Sequence, residues 1–132
     1  MNQFTSEKEI TVRTVSDLYG QISDFNRLKE LMPEQVVNWR VDGDVCSFTI
    51  KGMADLQIRY KEKVPETLVR IVPVKAPFHF EIVVTLDFLD NERGTLCQTA
   101  INADLNPMLF MLASRPLKHL VSAINSSLVL GR

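Results

Sequence analysis

The chain has 132 residues, the size of one ordinary domain with a single core. Apolar residues make up 45% and charged residues 23%, a globular rather than a disordered balance, and the formal net charge is -1. No electrostatic reason to seek nucleic acid follows from that charge, and the longest apolar run, Met108 to Ala113, is far short of the roughly 20 residues that span a bilayer.

Residues 1–8 show no basic start followed by an apolar run, so no secretory signal is read there and a cytoplasmic location is expected. In that reducing setting Cys46 and Cys97 read as two small buried hydrophobes, with no nearby histidine pair to make a metal site. No repeat, linker or low-complexity tract divides the chain, so residues 1–132 are expected to form one domain.

Residues 3–12 alternate. Phe4, Ser6, Lys8, Ile10 and Val12 share one face and Thr5, Glu7, Glu9 and Thr11 the other, which predicts one strand with the second set in water. Ser16 is a suitable N-cap for a short helix carrying Leu18, Ile22 and Phe25. Leu28, Leu31 and Met32 continue the apolar face into a second short helix, which Pro33 ends.

From residue 35 the period becomes two. Val37, Trp39 and Val41 alternate with polar residues, and Asp42-Gly43-Asp44 makes a turn. Cys46, Phe48 and Ile50, then Leu56, Ile58 and Tyr60, are the inward sets of the next two strands. Residues 68–74 are ambiguous, because Leu68, Arg70, Val72 and Val74 oppose Val69, Ile71 and Pro73. Phe78, Phe80, Ile82, Val84, Leu86 and Phe88 form one unbroken apolar face, with His79, Glu81, Thr85 and Asp87 opposite. Asp90 to Gly94 reads as a hairpin loop. The last strand, residues 95–105, turns Cys97, Ile101, Ala103 and Leu105 inward.

Asn106 caps and Pro107 starts a final helix, in which Leu109, Ala113, Leu117, Leu120, Ile124 and Leu128 make one long apolar stripe. Pro116 lies inside it and is expected to kink it. Hairpin-linked strands with one apolar face each predict an α+β chain: a curved antiparallel sheet of about six or seven strands wrapped around the C-terminal helix, with two short helices after the first strand.

This order of elements resembles the START/Bet v 1-like helix-grip superfamily, also called the polyketide cyclase/dehydrase and lipid-transport superfamily. The likeness covers essentially the whole chain. It is carried locally by Val15-Ser16-Asp17-Leu18-Tyr19, Ile22-Ser23-Asp24-Phe25, Met32-Pro33-Glu34, Ala103-Asp104-Leu105-Asn106-Pro107-Met108 and Ser114-Arg115-Pro116-Leu117, the last of which fits small bacterial members. The resemblance implies a cavity between the concave sheet face and the last helix, with its mouth near the short helices and one end of that helix. Such cavities hold lipids, sterols, polyketides or hormones, and a few members catalyse cyclisation or dehydration. No family-wide catalytic residue carries over.

Three functions are weighed. The first is non-enzymatic binding of an apolar small molecule in a cavity of roughly 300–1,000 Å³. Its expected walls are Trp39, Phe48, Leu56, Ile58, Tyr60, Phe80, Ile82, Val84, Ile101, Leu109, Leu112 and Leu120. Lys8 is its candidate polar group, able to meet a ligand carboxylate if it points inward, although a lysine snorkelling from the sheet edge is the plainer reading. The second is a cyclase or dehydratase with Lys8 or Tyr60 as acid–base group; His79 and His119 read as surface or boundary residues. The third is a protein-interaction module with a closed core, or a homodimer, formed through Phe110 and Met111. No cofactor, metal or Gly-rich phosphate loop is expected.

Overall fold

Eight strands and three helices follow one another in the computed structural model, which describes residues 1–89 and 94–131. The order is β1 (Asn2–Thr5), β2 (Glu9–Thr11), α1 (Val15–Ile22), α2 (Phe25–Leu28) running into a 3-10 turn (Lys29–Leu31), β3 (Val36–Asp42), β4 (Val45–Ile50), β5 (Ala54–Val64), β6 (Leu68–Lys75), β7 (Phe80–Leu89), β8 (Gly94–Ala103) and α3 (Pro107–Leu130). The strands form one antiparallel sheet in the order β1-β8-β7-β6-β5-β4-β3, and β2 pairs with β8 further along. This is the helix-grip fold: the concave face buries Phe48, Ile58, Ile82, Val84 and Ile101 against the stripe Ala113, Leu117, Leu120, Val121, Ile124 and Leu128 of α3. Apart from Gly94, the expected hairpin loop at 90–94 lies outside the described residues.

The single first strand expected over residues 3–12 is two strands. Thr5 pairs with Ala100 and Glu9 with Cys97, so four steps on one side match three on the other. One extra residue makes a bulge and reverses the alternation beyond it. Phe4 and Ser6 point inward, but after the bulge Thr11 is buried while Ile10 and Val12 are exposed. Ser6 bridges the break: its N–H donates to the Thr99 carbonyl at 2.8 Å and its Oγ accepts from the Thr99 N–H at 3.0 Å. Lys8 falls in the bulge and is exposed, which removes it as a group inside the grip.

Other local expectations shift by smaller amounts. Thr14, not Ser16, caps α1, accepting from the Asp17 N–H at 3.1 Å, and Asp24 caps α2 through the Asn26 N–H. Met32, preceding Pro33, is extended with ψ 142, the geometry a following proline favours. In β6, Val69 and Ile71 are the inward pair, while Arg70 lies on the convex face between Glu62 and Glu81, at 2.7 Å from each. Phe88, expected to face inward, is 64% exposed because it lies near the end of β7, and Val74, whose facing the sequence leaves open, is 48% exposed near the end of β6.

Asn106 accepts from the Leu109 N–H at 2.9 Å and Pro107 opens α3, as the sequence pattern indicates. The helix runs on through Pro116, whose missing N–H withholds a donor from the Leu112 carbonyl. Its far end is fastened to the edge of the sheet. The Thr11 hydroxyl donates to the Val129 carbonyl at 2.9 Å and the Arg13 guanidinium to the Leu128 carbonyl at 3.0 Å, satisfying carbonyls that a helix end leaves orphaned. Gly131 follows at φ 76, a left-handed position that favours glycine.

A polar pin crosses the core. Asn125 is fully buried; its Oδ1 accepts from the Thr99 hydroxyl at 3.1 Å and its Nδ2 donates to a Glu9 carboxylate oxygen at 2.9 Å. The pin fixes the register of α3 against β8 and the β1–β2 bulge. Both cysteines are buried and free, and burial pushes the Cys46 thiol up to about 12 and the Cys97 thiol up to about 11. They remain neutral thiols inside the core.

Candidate functional site

The space inside the grip is small. Leu28, Met32, Trp39, Phe48, Ile58, Ile71, Ile82, Val84, Leu120 and Ile124 surround a void of about 10 Å³, room for one water at most. The open cavity of roughly 300–1,000 Å³ expected from the sequence is therefore closed by its own large side chains. Leu28 and Met32 come from the short-helix segment and Ile124 from α3; they plug the concave face from both sides.

Six of the expected walls, Trp39, Phe48, Ile58, Ile82, Val84 and Leu120, do meet around this void. Leu56, Phe80 and Ile101 are buried elsewhere in the core, and Leu109 is half-buried. Leu112 is 47% exposed and is no wall at all, because its place on α3 points away from the Ala113–Leu117–Leu120 stripe. The alternation leaves Ile71 unassigned because residues 68–74 fit two registers, and it does not single out Leu28, Met32 or Ile124 because their apolar spacing reads the same for any core position.

The two aromatic side chains with polar tips use those tips structurally. The Trp39 indole N–H donates to the Phe25 carbonyl at 3.0 Å, and the Tyr60 hydroxyl donates to the Ile22 carbonyl at 2.6 Å. Both carbonyls belong to the α1–α2 segment, so these bonds hang the short helices on the sheet. Burial, reinforced by the nearby Asp24, pushes the Tyr60 phenol well above its ordinary value. Tyr60 also stacks on Phe25, with ring centroids 4.2 Å apart. Lys8 lies in water and Tyr60 is committed to a backbone carbonyl, so neither serves as an acid–base group in the void.

Immediately outside the void is an open groove of about 220 Å³. Its floor is Pro33, Val36, Ile50, Pro116 and Leu120, and its rim is Gln35, Lys51, Arg115 and His119. Pro33 follows the short helices and residues 115–120 lie in the first half of α3, so the groove opens at the seam between them. Leu120 borders both the groove and the void. Its side chain, 4% exposed, is the partition between them. The rim carries no acid, and Lys51 and Arg115 form no ion pair among the described residues.

A larger depression, about 500 Å³, lies at the α1–α2 junction beside Asp24, Asp44, Arg59 and Lys63. Its floor is the Tyr60–Phe25 stack and Lys63 already donates to the Ser23 carbonyl at 3.2 Å, so it is a polar surface hollow with its central groups engaged. The groove at Leu120 is the stronger candidate because its floor is mostly apolar and it shares a buried side chain, Leu120, with the void. No group of three or more metal-ligating side chains occurs among the described residues. No helix among them is long and apolar enough to cross a membrane.

No protein-family model and no curated protein matches this chain. Solved structures do match along nearly its whole length. A Thermus thermophilus protein superimposes with a TM-score of 0.69 at 14% identity, covering 98% of each chain. A conserved protein of Geobacillus kaustophilus gives 0.69 at 17% identity, covering 99% of this chain and 94% of that one. A norcoclaurine synthase point mutant from Thalictrum flavum, in complex with a transition-state analogue, gives 0.69 at 10% identity, covering 99% and 98%. At these identities the likeness establishes the fold, and fold alone does not carry function.

Proposed function

We propose that this chain is a START/Bet v 1-like protein that binds, without chemistry, an apolar small molecule, lipid- or polyketide-like, at the seam between α3 and the β3–β4 edge of the sheet. The observation that carries the reading is Leu120, one side chain separating an open apolar groove from the apolar interior. A ligand seated in the groove reaches the interior by displacing a leucine and no polar group. The rim cations Lys51 and Arg115 suit a ligand whose exposed end is anionic. Pro116 lies on the same floor, and the hydrogen bond it removes lowers the cost of shifting the first half of α3.

Anilinonaphthalene sulfonate combines an apolar body with one negative charge and so suits a titration of the folded protein. Saturable fluorescence enhancement is expected, weakened several-fold by Arg115→Glu, while uncharged Nile red binding is little changed. Absence of saturable binding of either dye, or indifference of the anionic dye to Arg115→Glu, would count against the groove. The closed void specifically favours one rival, an interaction module that holds no ligand. It is distinguished by the same titration, since it calls for no saturable dye site at the seam.

A further inference from the structure

We infer that the N-terminal turn of α3 is a docking surface for an anionic lipid bilayer. Met108 and Met111 are 80% and 84% exposed, and Leu112 is 47% exposed on the same solvent side of the helix. Phe110 is the exception in this turn: it leans back and stacks on Phe4 with ring centroids 6.3 Å apart, bracing the tip against β1. Three large apolar side chains therefore stand in water in a single turn, where the helix N-terminus would favour acids, and the first turn contains none.

The charge beyond this tip has one sign. All 24 residues of α3, Pro107–Leu130, include no acid, and its charged residues are Arg115 and Lys118, both exposed and neither in an ion pair among the described residues. Yet the chain as a whole carries -1. The acid nearest in sequence, Asp104, precedes the cap. At 1.5 Å per residue, Arg115 and Lys118 lie about 6 and 10 Å beyond Met111 along the axis. Interfacial helices lie in the membrane plane and bury their apolar face about 5–10 Å into the headgroup/acyl boundary. At about 3.6 residues per turn Met108, Met111, Leu112, Arg115 and Lys118 share one face of α3, so with the apolar three in that boundary the two cations can reach the lipid phosphates. A protein partner or a second copy of the chain would cover the methionines but would leave this arrangement of cations behind the apolar tip unexplained.

The apolar part of the docking surface is separate from the ligand groove, since Met108 and Met111 border neither groove nor void, while Arg115 belongs to both. The test is co-sedimentation of the full chain with vesicles of phosphatidylcholine containing about one-third phosphatidylglycerol, against pure phosphatidylcholine, the fraction that supplies the negative surface potential. Binding to the anionic vesicles only is expected, weakened by salt. Met111→Glu should lower it at least about tenfold, the scale set by burying one large apolar side chain, and Lys118→Gln should lower it less. Glutamate in the first turns suits the helix dipole, so an unchanged melting temperature and an unchanged titration with the uncharged dye Nile red confirm that the variant is folded and its groove intact. Equal binding to both vesicle types, no binding to either, or indifference to Met111→Glu would overturn the inference. So would a concentration-dependent dimer that Met111→Glu dissociates in a protein that ignores vesicles.

Discussion

Leu120→Ala is expected to destabilise the fold by about 2–5 kcal/mol, the range for removing a buried leucine, while increasing the uptake of an apolar dye. The stability loss follows from its 4% exposure within the core. The gain follows from its position, because removing the side chain joins the void of about 10 Å³ to the groove of about 220 Å³. The comparison that separates the two effects is Ile124→Ala. Ile124 is equally buried and lines the void but not the groove, so it should lose similar stability without opening a path. Urea denaturation gives the first quantity and dye titration the second. If the two variants bind dye equally, Leu120 is an ordinary core residue and not a partition.

Asn125→Leu is expected to destabilise the chain by about 1–3 kcal/mol, even though it places an apolar side chain in an apolar core. Thr99 is fully buried and its hydroxyl loses the acceptor at 3.1 Å, while Glu9 loses a donor at 2.9 Å. A buried polar group left without its partner costs more than the hydrogen bond gained in forming it. At roughly 4 °C per kcal/mol for a domain of this size, thermal melting should register the change clearly. The double variant Asn125→Leu with Thr99→Val should recover part of the loss, since it removes the orphan hydroxyl as well. A single variant as stable as the parent would show that the pin contributes nothing to holding α3 on the sheet.

Much of this architecture is legible in the sequence. The period-two runs from residue 36 to 103 and the Asn106-Pro107 helix start are strong local signals, and the stripe from Ala113 to Leu128 is long enough to be read without tertiary help. What escapes is what one residue can overturn. The bulge at residues 6–8 is invisible in an alternating pattern, yet it reverses the facing of everything from Lys8 to Val12. Arg70 is placed by its two carboxylate partners, Glu62 and Glu81, which come from different strands. Asn125 reads as one polar residue on a helix, and only the packing of α3 on β8 shows it to be buried.

The candidate site divides the same way. The alternation identifies inward side chains such as Phe48, Ile58, Ile82 and Val84, which do surround one void. It carries no information on volume, and the plugging residues Leu28 and Met32 reach the void from the short-helix segment. The groove at Pro116 depends on the spatial meeting of Pro33, Val36, Ile50 and α3, which no local pattern encodes. The exposed tip at Met108 and Met111 is the reverse case: the sequence marks a turn of α3 that is apolar all round, and the structure shows which part stands in water.

The central claim is that this grip holds a small apolar molecule. It is tested most directly by native mass spectrometry, with organic extraction, of the protein purified from its natural source. A co-purifying apolar molecule that is released by extraction and is absent from a Leu120→Trp variant, whose larger side chain blocks the seam, is the expected result. A bare chain at its sequence mass in both proteins would contradict the claim and leave the closed core as a scaffold for surface contacts alone.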